Sequence, residues 1–523
     1  MRNFLIHTVY HERNGELLEM SQNIVESKQS QKMVIIILSV IISGGIIFRL
    51  VFSHFELPLN SDNLQYFLYA IDYSIGESTI QNVHNPGWAL FLSFFFTAFD
   101  SNNYMEFMAL QKIISIVISS LTVIPIYFLG KKFFSKELAL LGSILFVFEP
   151  RIVQNSTFGI SDPLYIIGLV IAIVLLLNFR KNIEFLAFVI LGLSITVRSE
   201  GLFLIPAFII IYFLQKKLSK DSIIKIFISL LLIIVILSTI TYFQNIENVN
   251  HNLFSRIDSG VGEIYSSPET TAAGGSINLL IDGLINFVKF LGWSQIPIWI
   301  IFVPAGFIIL LTCKNQDTKI ILTLLFFISL PTLYAFSFVN DTRYLFPLYP
   351  IFAILSLFFL TKFIKSKRDL SIIKIGIIFG LVLSSSVFLI WKDVDVEKEQ
   401  EMFDFMKNIS DENKIINHFG YELSYRIPTV LENTSNFPIS SNEIEKHSTK
   451  VVTISRVNSF DEFMKIGMEG KITHIVVKEK NFYVFLDDIF KNEENYQFLI
   501  KENDSDENIK IFKIDYHKYE IQK

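Results

Sequence analysis

Glu56-Leu-Pro-Leu-Asn-Ser-Asp62-Asn-Leu-Gln-Tyr66, running on to His84-Asn-Pro86-Gly87, follows directly on an apolar run at 33–52, and its reading decides the fold. Leu64, Phe67, Leu68 and Ile71 recur at helical spacing, so the segment after Asp62 reads as an amphipathic helix lying in a membrane surface. Asp62 would then stand at the mouth of a bundle of spans, level with lipid headgroups. A carboxylate held there is suited to chemistry on a lipid-linked substrate. The plainer alternative makes Ser61 or Asp62 a simple helix cap.

Composition sets the class. The 523 residues are 51% hydrophobic with mean hydropathy +0.47, which places the chain among integral membrane proteins. Cys313 is the single cysteine, so neither an intramolecular disulfide nor a cysteine-rich metal site can form. The net charge of -5 is modest, and Lys and Arg fall in short clusters between apolar runs, which argues against nucleic acid as a partner.

Residues 1–32 are polar and mixed in charge and read as a cytoplasmic tail, with 33–52 as an uncleaved signal anchor. Apolar runs then predict about eleven spans of a ~30 Å bilayer core, at 33–52, 109–130, 137–150, 162–178, 183–197, 199–214, 222–243, 296–313, 319–339, 344–364 and 371–391. Pro86 to Phe99 is too short for a span and reads as an interfacial helix. With that count Lys131-Lys132, Arg180-Lys181, Lys216-Lys217, Lys314 with Lys319, and Lys365 with Lys367-Arg368 all fall on the side of the N-terminus. The odd number puts the C-terminus outside. Gln244 to Asn278 is a long polar outer loop, either a lid or a connector, and Leu279 to Gln295 rests at the interface.

From Lys392 the chain turns charged. Short β-rich runs (414–418, 451–456, 474–477, 509–514) alternate with helical patterns (397–408, 460–468, 485–501), which predicts a small soluble α/β domain over 392–523. It carries no catalytic constellation, so it is expected to bind acceptor or shield the site. Tyr421, Tyr425 and Arg426 are the residues to inspect should it do more.

Ionisable groups gather at predicted outer boundaries: Asp62, Asp162, the Arg198-Ser-Glu200 trio, and Arg343 in Asn340-Asp-Thr-Arg-Tyr344. Singly, each is commonly an interfacial anchor. Together they offer phosphate clamps and a base on one face. His84 and the Glu149-Pro-Arg151 pair are secondary candidates, and one histidine makes no metal site.

Asn60-Ser-Asp62, His84-Asn-Pro86-Gly87, the Val123-Ile-Pro-Ile-Tyr-Phe-Leu-Gly-Lys-Lys-Phe-Phe run, Ser161-Asp162-Pro, Ile195-Thr-Val-Arg198-Ser-Glu200-Gly and Arg343-Tyr-Leu-Phe-Pro-Leu-Tyr-Pro350 together resemble the GT-C superfamily of polytopic glycosyltransferases. The likeness is greatest to the branch of protein O-mannosyltransferases and the bacterial lipid A aminoarabinose transferase. It implies a GT-C-like membrane domain over 33–391 and an inverting, mannosyltransferase-like enzyme of the cell membrane. The donor would be a polyprenyl (dolichyl)-phosphate sugar at the outer face, and the acceptor a protein, lipid or glycan. By position Asp62 is the base, Arg198 or Arg343 meets the phosphate, and Asp162, Glu200 and His84 bind substrate. Asp62-Asn63 stands where many relatives have two acids, which leaves the base to Asp62 alone and leaves a divalent cation open. Asn85 stands where relatives have His-Pro-Pro. The reading from another class is a flippase of lipid-linked saccharide, using the same charges for binding alone; no internal repeat of the transporter kind is seen.

The orientation is testable without the resemblance. With Cys313 replaced, cysteine at Ser440 should react with a membrane-impermeant thiol reagent on intact cells, and cysteine at Ser219 only after the membrane is broken.

Overall fold

The computed structural model describes residues 31–77, 85–178, 183–216, 218–246, 275–313, 315–337, 341–364, 366–410, 418–420, 431, 439–441, 459–478, 484–501 and 509–522. His84, the tail before residue 31, most of the 244–278 loop, the 451–456 run, and Tyr421, Tyr425 and Arg426 lie outside the described residues.

The chain is a multi-pass helical membrane protein. Among the described residues six helices are long and apolar enough to cross a bilayer: Gln31–Val51, Tyr104–Phe133, Lys220–Phe243, Gln316–Ala335, Thr342–Leu360 and Ser371–Asp393. Shorter apolar helices stand at Asp162–Leu177, Glu184–Val197, Ser199–Gln215 and Phe302–Thr312, and a further helix at Lys136–Val147, so every predicted span is helical over most of its length. The run at 296–313 starts as turns, with its helix beginning at Phe302.

The elements that place the site are α1 (Gln31–Val51), α2 (Ser61–Ile75), α3 (Gly87–Ala98), α4 (Tyr104–Leu121), α5 (Val123–Phe133), α6 (Lys136–Val147), α7 (Pro150–Thr157), α8 (Asp162–Leu177) and α9 (Ile183–Val197). The predicted apolar face of α2 is buried throughout: Leu64, Phe67, Leu68 and Ile71 are all in the core. The capping alternative is set aside, because the cap position is Asn60, which makes no side-chain capping bond, while Asp62 falls in the first turn. Gly76 closes α2 with φ 74, the left-handed geometry that glycine takes without strain.

The short helix α3 buries Trp88, Ala89, Leu92 and Phe96 and leaves Phe94 and Phe95 exposed. Gly87 is dictated by contact: a Cβ there would lie 2.7 Å from the Val197 amide nitrogen and 2.5 Å from the Thr196 hydroxyl. The start of α3 is thereby pressed onto the end of α9, one residue before Arg198.

Later come α10 (Leu204–Gln215), α11 (Lys220–Ile246), α12 (Gly275–Ser294), α13 (Phe302–Thr312), α14 (Gln316–Ala335), α15 (Tyr349–Leu360) and α16 (Lys367–Ser410). A 3-10 turn at Thr342–Leu348 leads into α15. The helix α16 passes without a break through residue 392, where composition predicted a boundary, so the last span continues as one rod into the C-terminal part.

That part is α/β, as predicted. The described strands β1 (His418–Gly420), β2 (His474–Lys478), β3 (Leu499–Lys501) and β4 (Ile509–Ile514) form a sheet of order β1-β2-β4-β3. The β1 and β2 strands are parallel and the other pairs antiparallel. Helices α17 (Phe460–Glu469) and α18 (Val484–Lys491) cover it, with Phe463, Ile475, Val477 and Ile489 in its core. The helical run expected over 485–501 stops at Lys491, and β3 occupies its end.

The C-terminal part reaches back to the first loop. Leu57 is buried in a cluster with Phe403, Val476, Ile509 and Ile511, so the loop sits against the sheet. His54 bridges Glu56 at 3.0 Å and Asp393 of α16 at 2.9 Å. Asp72, fully buried on α2, accepts the Ser441 backbone amide at 2.7 Å and the Ser441 hydroxyl. Ser440 is half-buried beside that contact, and Val484, 84% exposed on the C-terminal part, is the better labelling position. Cysteine at Val484 should therefore label on intact cells faster than cysteine at Ser440, measured by mass shift with an impermeant maleimide.

Candidate active site

Three residues of α4 hold the first loop. Lys112 Nζ donates to the carbonyls of His54 and Leu57, each at 2.7 Å, and the Leu59 amide donates to Met108 Sδ at 3.3 Å. Gln111 Nε2 donates to the Asn63 carbonyl at 3.1 Å and the Gly159 carbonyl at 2.8 Å, tying the start of α2 to the turn before α8. Trp88 Nε1 also donates to Gly159 O, at 3.1 Å. The Pro86-Gly87-Trp88 stretch thus braces the turn that presents Asp162, through its tryptophan, and the residue before Arg198, through its glycine. Within the loop, burial of Glu56 opposes ionisation, but its own backbone amide and the His54 ring outweigh this and hold the carboxyl below its ordinary value.

The charged residues then assemble in two connected groups. Arg343 Nη2 lies 3.3 Å from Asp62 Oδ2, and its Nε is 2.6 Å from Asp341 Oδ2. Asp341 also caps the 3-10 turn by accepting the Arg343 amide at 2.9 Å. In the second group Arg198 donates to Asp162 and, at 2.8 Å, to Glu200, with its guanidinium 5.5 Å from the Tyr344 ring centroid. Arg343 is close enough to Asp162 to feel its charge, which links the groups.

Exposure separates their roles. Asp62 and Arg343 side chains are 58% and 31% exposed, whereas Asp162 and Arg198 are 1% and 12% exposed. The first pair can meet a ligand; the second is an interior brace. Asp62, Asp341 and Arg343 line a cavity of about 520 Å³, whose wall is completed by Asn155 and Gln154 of α7 and by aromatic residues including Phe158, Phe388 and Trp391.

Glu149 and Arg151 are 3.6 Å apart, and neither is a mere surface pair. Glu149 caps α7 by accepting the Ile152 amide at 2.8 Å. Arg151 donates to the carbonyls of Trp293, Ser294 and Ile296, fastening the turn after α12 to the cavity. Beneath them Arg49 of α1, fully buried, donates to Ser156 Oγ at 2.9 Å and Ser119 Oγ at 3.1 Å. Among the described residues no group of three or more His, Cys, Asp or Glu stands ready for a metal ion. Asp62 and Asp341 are the carboxylates on the cavity, and Arg343 joins them.

The profile of the dolichyl-phosphate-mannose-protein mannosyltransferase family matches residues 83–243, less than half of the chain. No curated protein matches. ArnT from Cupriavidus metallidurans, solved bound to undecaprenyl phosphate, superposes with TM-score 0.58 at 10% identity over 91% of this chain and 97% of its own. The archaeal oligosaccharyltransferase AglB from Archaeoglobus fulgidus, in complex with an inhibitory peptide and a dolichol-phosphate, gives 0.50 at 11% identity over 84% and 69%. Its apo form gives 0.53 over 85% and 69% at 11% identity. The chain has the GT-C fold.

The two groups should respond differently to mutation. Asp162→Ala leaves Arg198 buried beside one acid fewer and should destabilise the protein by about 3–5 kcal/mol, a cost typical of breaking a buried ion pair. Asp62→Asn, at a largely exposed position, should leave the thermal midpoint in detergent unchanged.

Proposed function

We propose that this protein is a glycosyltransferase that moves a sugar from a polyprenyl-phosphate donor to a protein, lipid or glycan acceptor at the outer membrane face. The observation that carries the reading is the Asp62–Arg343 pair, 3.3 Å apart on the cavity wall from positions 281 residues apart in sequence. An exposed acid and a half-exposed guanidinium on one cavity are what displacement at a sugar phosphate requires: a base for the nucleophile and a cation for the leaving group.

The reaction is a single displacement. Asp62 takes the proton of an acceptor hydroxyl or amide, whose heteroatom bonds to the anomeric carbon as the bond from that carbon to the phosphate oxygen breaks. The electron pair leaves on the polyprenyl phosphate, and the configuration inverts. Arg343 is the arginine for this leaving group, ahead of Arg198, because Arg198 is committed to Asp162 and Glu200 and nearly buried. A lipid phosphate on the cavity would compete with Asp62 for Arg343 and so free the carboxylate oxygen to accept the acceptor's proton. Donor binding thereby arms the base. The family profile supports a mannosyl-like donor, and the basic clusters at Lys131-Lys132 support the outer face as the site of reaction. Nothing among the matched proteins favours the flippase reading.

Membranes carrying Asp62→Asn should bind donor but release no polyprenyl phosphate in a single-turnover assay with radiolabelled sugar. Arg343→Ala should lower kcat by about 100-fold or more, the usual scale for losing one charge-stabilising contact in the transition state. Normal release by the Asp62 variant would remove Asp62 from the chemistry.

A further inference from the structure

Beside the Asp62–Arg343 pair the cavity wall carries carboxamides: Asn60 and Asn63 at the start of α2, and Gln154 and Asn155 on α7. Asn155 is only 4% exposed. Its backbone carbonyl accepts from the Phe158 amide at 3.4 Å, and its side chain borders the cavity. Asn63, 9% exposed, keeps its side-chain oxygen without a hydrogen bond. Buried amides left without partners are uncommon, because each loses its hydration with nothing in exchange. Here the amide faces a cavity instead of a packed core, so a ligand can supply what the protein does not.

The chemistry of that ligand can be read from the wall. A carboxamide offers two donors and an acceptor side by side, which matches a pair of adjacent hydroxyls, each both donor and acceptor. Phe158, Phe388 and Trp391 on the same cavity present apolar faces suited to the C–H face of a pyranose ring. On α7 itself Arg151 is committed to three backbone carbonyls, so what that wall offers a ligand is carboxamide, while the charges of the cavity, Asp62, Asp341, Arg343 and Lys392, stand on its other walls. At about 520 Å³ the cavity is within the ~300–1,000 Å³ range of small-molecule sites.

We propose that Asn155, with Gln154 and Asn63, reads the hydroxyl groups of a neutral pyranose, and that Asn155 sets which sugar the cavity accepts. The proposal rests on the transferase reading for its donor, but not for its binding site. Because the Asn155 side chain borders a cavity, Asn155→Ala should fold normally.

The test uses the full-length protein in detergent and short-chain polyprenyl phosphates bearing mannose, glucose, singly deoxygenated mannose, or no sugar. Dissociation constants are read from the fluorescence of the tryptophans that line the cavity. Asn155→Ala should weaken the preferred glycoside about tenfold, the scale of one neutral hydrogen bond, and leave bare polyprenyl phosphate unchanged. One deoxy analogue should bind the wild type as weakly as the parent binds the variant, with no further loss in the variant. Equal weakening of bare and glycosylated lipid, or none of either, overturns the proposal. Gln154→Ala repeats the comparison should Asn155→Ala fail to fold. A wild type that discriminates between sugars yet releases no polyprenyl phosphate leaves the sugar-reading wall standing and overturns the transferase reading. Release from every donor without discrimination does the opposite.

Discussion

One guanidinium joins the halves of this site. Arg343 touches Asp62 and Asp341 and lies in the field of Asp162, so acids from the start of α2, from α8 and from the chain before α15 are gathered around it. At the edge of a low-dielectric region a charge is tolerable only with partners, and the acids around Arg343 meet that requirement. The Arg198 brace is the interior counterpart. It holds α8 and the end of α9 together with little exposure to ligand.

Most of the remaining architecture holds backbone in place for those charges. The α4 helix does this with Met108, Gln111 and Lys112, three residues on one stretch that grip the first loop and the turn before α8. The α3 helix does it by close approach at Gly87 and by the indole of Trp88. Arg151 does it across the cavity by collecting three carbonyls at the end of α12. None of these groups needs to touch substrate for the site to depend on it.

The spans and the charged boundary residues were legible because an apolar run and an ion at its end are local signals. Asp62, Asp162, Arg198, Glu200 and Arg343 stand out on that basis alone. Which of them pair was not legible, since the contacts close over long separations, 281 residues for Asp62 and Arg343. Gln111, Lys112 and Arg49 were hidden inside apolar runs, where a single polar residue does not interrupt the pattern. Asp341, two residues before Arg343, is masked by its neighbour's stronger signal, and Asn155 carries no sequence mark at all. The three-residue strand β3 is too short to show alternation, so its stretch was absorbed into the preceding helical pattern.

The contact between Asp72 and Ser441 bears on how the chain assembles. Asp72 belongs to the second helix of the described residues, and two of its hydrogen bonds come from a residue made 369 positions later. Through the insertion of every span the helix that carries the candidate base waits for these partners, and Leu57 waits for the sheet that covers it. Assembly of this chain thus has a built-in last step: the helix that carries Asp62 gains its contacts with the C-terminal part only once that part has been made and has folded.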